Sequence, residues 1–281
     1  MNPEYLALTF DMGQHDNEIW LALLGEWPFE SFHEEGSVIT GYILRHDITQ
    51  SMLRFISEHE GVSFDQYDLA EVPDKNWNEV WESSFNPVAV DDIYFIRAEF
   101  HKPVDQKFRH VVTISPKMAF GTGHHATTYM MMQAIAGLDF KGKKVFDFGC
   151  GTGILSVVAA LEGASLVIGA DIQPESIENS EEHAAMNGVS QVCQFYLGGI
   201  EKAKGEVYDI ILANINRNVI LEYLSELVKF LVSGGYMLIS GIMFDDVEVI
   251  TEALNKEKIK ILDKRERDQW VQLTCLATHS K

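Results

Sequence analysis

The run Val145-Phe-Asp147-Phe-Gly149-Cys-Gly151-Thr-Gly153-Ile-Leu constrains the fold more than any other stretch of the chain. An apolar strand-like segment feeds directly into three glycines at alternate positions, then into a helix-forming run. A strand that turns through glycines into a helix is the opening unit of an open α/β sheet, where ligands gather at the carboxyl ends of the strands. Glycine lets a ligand approach the backbone without interference from a Cβ. The free N–H groups at the following helix start favour a negatively polarised partner.

From about residue 90 the chain continues in the same alternation. Strands are expected at 145–148, 166–170, 194–197, 208–213 and 236–240, and helices at 153–161, 174–187, 219–231 and 247–254. Pro174 stands in the first turn of its helix, where a missing N–H costs nothing. Residues 259–262 and 271–277 form a closing pair. Repeated strand–helix units imply a twisted, mostly parallel sheet with helices on both faces.

The first seventy or so residues follow a different pattern. Strands at 5–10, 37–44 and 64–72, and helices at 17–24 and 49–59, give a β-α-β-α-β order with one strand doubled as a hairpin. That order points to a small ferredoxin-like α+β domain. After Pro73-Asp74, Trp77, Val80 and Trp81 recur at helical spacing. Flexible tethers are rich in Gly and Ser rather than Trp, so a packed helical linker is expected. The expected division is residues 1–72, a linker at 73–90, and the α/β domain at 91–281.

Charge narrows the partners. Lys and Arg number 22 against 42 Asp and Glu, a net −20. Residues 1–75 hold 15 acids against Arg45, Arg54 and Lys75, which is 3 − 15 = −12, leaving −8 for the other 206 residues. Direct nucleic-acid binding is disfavoured, because phosphates need Lys and Arg. A basic macromolecule would instead be steered toward such a surface. The three cysteines, Cys150, Cys193 and Cys275, are widely spaced with no CxxC, as in reduced cytosolic thiols. The opening residues lack the basic start and apolar run of a signal peptide, and no window approaches 18 uninterrupted apolar residues. A soluble, cytoplasmic, monomeric protein is expected.

A glycine-rich turn alone does not separate a dinucleotide site from other nucleotide sites. Dinucleotide folds prefer G-x-G-x-x-G, whereas this loop reads Asp147-x-Gly149-x-Gly151-x-Gly153. The next strand ends at Asp171, 22 residues beyond Gly149, where a carboxylate can accept both hydroxyls of a ribose. The pattern resembles the S-adenosylmethionine (SAM) site of Rossmann-like class I methyltransferases. In that resemblance Asp171 holds the ribose, Gly149 and Gly151 line the cofactor, and Asp147 helps orient its methionine end. A fourth strand ends Ala213-Asn214-Ile-Asn216-Arg217, with polar residues where catalytic groups gather. Asn214 offers an amide oxygen for an attacking amine or for the cofactor, and an asparagine there also suits a helix cap.

The resemblance becomes specific in the ordered runs AFGTGHHATT, VFDFGCGTGIL, GADIQPESIENSEEHAAMNGV, ILANI, SGGYMLISGIM and DQWVQLT. Together they are similar to the PrmA family, which methylates large-subunit ribosomal protein L11. The resemblance implies methyl transfer from SAM, with S-adenosylhomocysteine as product, to lysine ε-amines and an N-terminal α-amine. It implies cofactor contacts at Thr128, Gly149, Asp171 and Asn214, and a substrate-recruiting role for residues 1–72. Another basic protein or a small amine is the alternative acceptor. Asn216-Arg217-Asn218 departs from the small and apolar residues usual in the family.

The run from Ala119 to Met130 is expected to fold over the cofactor, with Phe120 covering an apolar part of the site. Adjacent His124 and His125 make a poor chelating pair without further ligands. No metal is expected.

Overall fold

A computed structural model of the chain describes residues 5–11, 24, 27–29, 31–35, 37–49, 52, 68–71, 86–102, 107–115, 125–203 and 205–278. The chain divides into two compact units, Met1–Ser83 and Ser84–Lys281.

In the first unit, β1 (Tyr5–Asp11), β2 (Ser31–Glu35), β3 (Val38–Leu44) and β4 (Asp68–Glu71) form one antiparallel sheet in the order β2-β3-β1-β4. Period-two patterning sets its faces. Leu6, Leu8 and Phe10 of β1 point inward beside Ile39 and Ile43 of β3, and Leu24 and Met52 complete the cluster. On the opposite face Thr9 and Thr40, partners in register, meet through their hydroxyls at 3.2 Å. The doubled strand is the β2–β3 hairpin. The helices expected at 17–24 and 49–59 lie outside the described residues, apart from Leu24 and Met52, which are helical. Trp77 and Trp81 also lie outside them.

The second unit begins with a feature the sequence reading did not anticipate. Strands β5 (Val88–Val90), β6 (Tyr94–Ala98) and β7 (His110–Ile114) form a separate three-stranded sheet. Residues 88–90, counted in the expected linker, are therefore a strand of the second unit. A three-residue strand carries too few positions for a periodic signal.

The main sheet has seven strands in the order β10-β9-β8-β11-β12-β14-β13. These are β8 (Lys144–Phe148), β9 (Leu166–Asp171), β10 (Cys193–Leu197), β11 (Tyr208–Asn214), β12 (Leu231–Met243), β13 (Ile259–Arg267) and β14 (Trp270–Ala277). The first five are parallel, and β14 and β13 complete the edge antiparallel. Helices α1 (Ala126–Ala136), α2 (Ile154–Leu161), α3 (Pro174–Met186), α4 (Arg217–Phe230) and α5 (Val247–Lys256) cover it.

Alternation assigns each face. Val145, Ile210, Leu212 and Leu238 join the core with Met131, Met132 and Ile135 of α1 and most of α2, together with the small sheet. Phe146, Phe148, Ile211, Met237 and Ile239 face Ile220, Leu224 and Leu227 of α4 and Ile250 and Leu254 of α5. The Met130-Met131-Met132 run is helix packing. No helix among the described residues is long and apolar enough to cross a membrane.

Tyr94 of β6 ties the small sheet to α2. Its ring is fully buried, and its hydroxyl donates to Glu162 Oε1 at 2.6 Å. Burial, reinforced by the neighbouring Glu162 carboxylate, pushes the phenol pKa well up and keeps that proton in place. Tyr94→Phe leaves Glu162 paired with Arg109 (3.1 Å) and loses one charge-assisted bond, so it should cost about 1.5–3 kcal/mol in urea unfolding.

Candidate functional site

The strand order reverses direction between β8 and β11, and in an open α/β sheet the crevice above such a reversal is the binding position. The glycine loop leaves β8 at this point. Its path is fixed by two successive amides, Gly149 N–H and Cys150 N–H, which both donate to Ala170 O at 2.9 and 3.1 Å. Gly149 has φ +74°, and a Cβ there would run into Ile215 Cγ2. Gly153 caps α2 with φ +72°, and a Cβ on it would come within 2.7 Å of Ser180. Neither position tolerates a side chain.

Asp171 closes the loop from the neighbouring strand. Its Oδ2 accepts from Gly151 N–H and its Oδ1 from Gln173 N–H, both at 3.0 Å. A carboxylate has about four lone-pair directions, so each oxygen keeps one free. The carboxylate is thus held rigidly at the mouth of the loop with acceptor capacity to spare.

Asp147 behaves differently. It lies on the α2 side of β8, is 1% exposed, and accepts a 2.6 Å hydrogen bond from Ser156 Oγ. Burial drives its pKa from an ordinary value near 3.8 up to about 7. The Ser156 bond opposes the shift, and the charge of Asp171 adds to it. Here Asp147 anchors the start of α2 beneath the loop rather than presenting an open carboxylate.

The other wall comes from β11 and α1. Asn214 ends β11, and its Nδ2 lies 3.4 Å from Thr128 Oγ1, a long contact. Its Oδ1 is buried with no hydrogen-bond partner among the described residues. An orphaned buried acceptor costs about 1–3 kcal/mol and marks a place where a donor fits. Thr128 is itself 1% exposed, in the first turn of α1. His125 caps that helix, with Nδ1 accepting from Thr127 N–H at 3.3 Å and meeting Thr127 Oγ1 at 2.7 Å. Its ring also packs edge-on against Trp270 of β14, centroids 4.9 Å apart. One of the two histidines is therefore a helix cap. His124 and Phe120 lie outside the described residues.

Gly149, Gly151 and Asp171 thus meet at one loop, and Asn214 meets Thr128 at the start of α1. Asn216 is the cap of α4, its Oδ1 accepting from Val219 N–H at 3.1 Å, and Arg217 pairs with Asp246 at 2.8 Å. Supporting residues the sequence reading missed sit on α3 and at Asn187, its C-terminal cap. Ser180 Oγ donates to Gly151 O at 2.9 Å. Buried His183 places Nδ1 2.8 Å from Thr152 O, while Nε2 accepts from Ser115 N–H at 3.0 Å. Asn187 pairs with both backbone groups of Thr113, its Oδ1 accepting at 2.8 Å and its Nδ2 donating at 2.7 Å. Their spacing along one helix face was the available signal.

The family model described as "Ribosomal protein L11 methyltransferase (PrmA)" matches residues 14–278. The chain belongs to this family. A protein of Porphyromonas gingivalis named ribosomal protein L11 methyltransferase is 35% identical, covering 96% of this chain and 97% of its own. A Phocaeicola vulgatus protein of the same name is 34% identical, covering 95% and 97%. The crystal structure of a ribosomal protein L11 methylase from Lactobacillus delbrueckii subsp. bulgaricus aligns with a TM-score of 0.63. Identity there is 29%, over 69% of this chain and all of that one.

The raised pKa of Asp147 makes a signed prediction. Between about pH 4 and pH 7 the folded chain binds more protons than the unfolded one, so stability falls as pH rises. This contribution is fully present below the unfolded value and lost as pH passes through the folded one. Asp147→Asn removes the titration, so its Tm relative to the parent should climb from about pH 4 to about pH 7 and level off above. A difference independent of pH would mean that Asp147 is ionised throughout.

Proposed function

We propose that the chain is a SAM-dependent protein methyltransferase acting on amines of ribosomal protein L11. The observation that carries this reading is the pairing of Asp171 with the Gly149–Gly153 loop, opposite the orphaned Oδ1 of Asn214, in a chain of this family. The spare lone pairs of Asp171 suit a ribose diol. The bare backbone at Gly149 suits close approach of the cofactor. SAM supplies an electrophilic methyl group on a sulfonium, and everything else is positioning by the protein.

An amine can attack only when neutral. A free lysine has a pKa near 10.4, so about one in 2,500 is unprotonated at pH 7. Moving the amine out of water lowers its pKa. Asn214 Oδ1 accepts an N–H of the amine and directs its lone pair toward the methyl group, or alternatively holds the cofactor's methionyl part. As a neutral amide it orients the amine without favouring the ammonium as a carboxylate would. Thr128 Oγ1 restrains the amide from α1. Alignment within about 3–3.5 Å supplies much of the acceleration, and solvent takes the proton before attack.

The acidic first unit recruits the basic substrate. Residues 1–75 carry −12 of the net −20, a field that attracts a cationic protein at long range.

Intact-mass measurement of purified ribosomal protein L11 after incubation with SAM tests the reading. Added methyl groups are expected, and an unchanged mass sinks the substrate assignment. Asp171→Ala should weaken SAM binding at least ~10-fold by calorimetry, the loss of a charge-assisted pair. Unchanged affinity removes Asp171 from the site.

A further inference from the structure

A groove of about 500 Å³ opens where the 3₁₀ turn Phe244–Asp246 meets the tip of the β13–β14 hairpin. Met243, Phe244, Asp245, Asp268, Gln269 and Trp270 line it. We propose that this groove receives the lysine-bearing polypeptide segment flanking the target amine, so that the catalytic unit carries a docking strip of its own. The proposal rests on the reading of the acceptor as a protein amine.

Position is the first ground. The cofactor loops stand on β8 and β9, and Asn214 ends β11. The next strand ends along the same edge belong to β12 and β14, whose Met243 and Trp270 are paired in register. An acceptor approaching Asn214 from the side away from β9 passes over them. The path is continuous, because Trp270 packs on His125, the cap of the helix whose Thr128 faces Asn214.

Exposed apolar surface is the second ground. Phe244 is 56% and Met243 44% exposed, adjacent in sequence and beside the site, although single exposed apolar residues elsewhere are ordinary. Backbone conformation is the third. Asp268 and Gln269, the two central residues of the hairpin turn, have φ +51° and +66°. Positive φ at both is the type I′ pattern, which prefers glycine second. A glutamine in that place costs about 1 kcal/mol, and such strain clusters where a ligand is met. Phe244 N–H donates to Gln269 O at 3.0 Å, so the strained tip and the aromatic turn are one piece.

Charge chooses the occupant. The groove is lined by Asp245, Glu266 and Asp268 against Arg267, which pairs with Asp268 at 3.5 Å. The excess of carboxylates repels phosphates and attracts cations. The chain already shows the pairing on itself. Lys264 Nζ stands 5.3 Å from the Phe244 ring centre while bonded to Glu266 at 2.6 Å. An ammonium over an aromatic face beside a carboxylate is how a lysine-rich segment would be held.

The test uses the full chain, labelled SAM and ribosomal protein L11. Phe244→Ser and Asp268→Lys should each raise KM for the protein about 10-fold while kcat changes less than about twofold and SAM affinity is unchanged. Gln269→Gly separates docking from folding. It relieves the positive φ, so Tm should rise by a few degrees, yet KM should also rise. If Phe244→Ser and Asp268→Lys leave KM within about twofold of the parent, the groove proposal fails while the function stands. A parent chain that transfers no methyl to L11 overturns both.

Discussion

The carbonyl oxygen of Ala170, taking two consecutive amides from Gly149 and Cys150, is the contact on which the candidate site hangs. It joins the end of β9 to the loop leaving β8 and so sets the distance between the glycines and Asp171. Once the loop is drawn in, Gly151 N–H reaches Asp171 Oδ2, and Gly153 starts α2 from a left-handed conformation. Ser180 and His183 then bind the loop carbonyls from α3. Each support is a modest bond of roughly 1 kcal/mol. They act on one short loop whose glycines would otherwise sample many conformations, so together they fix a single geometry.

Much of this was legible in the sequence because it depends on spacing along the chain. The period-two strands, the glycines at alternate positions and the carboxylate 22 residues after Gly149 are local patterns. They point to a loop facing Asp171 before any contact is seen. The role of Asn216 was half-legible, since an asparagine just before an apolar-periodic run is as good a cap as a site residue. The caps of α1 and α4 turned out to be His125 and Asn216.

What could not be read depends on contacts between distant segments. The sheet β5-β6-β7 has strands of three to five residues, too short to show a period. His183 looks like any polar residue of an amphipathic helix until β7 and the loop arrive on either side of it. The environment of Asp147 was also out of reach. An acid before a glycine loop reads as a ligand-facing group, but strand parity turns it onto the α2 face, and burial raises its pKa. Parity is local, whereas the depth of the pocket it points into is not.

The same chemistry makes opposite demands at two distances. A lysine approaches as an ammonium, and an acidic surface captures it over roughly the 8 Å Debye length of physiological salt. At the reacting point that attraction becomes a liability, because a nearby carboxylate holds the proton on the nitrogen. The chain separates the two demands in space. Within the second unit, carboxylates stand on the groove rim, whereas the group ending β11 is a neutral amide, and Asp147 lies buried with its pKa raised to about 7. The Asp171 carboxylate is engaged by two backbone amides, those of Gly151 and Gln173, at the glycine loop. On the proposed path, an amine moving from the rim toward Asn214 would leave the groups that favour its proton and meet a neutral acceptor able to orient its lone pair.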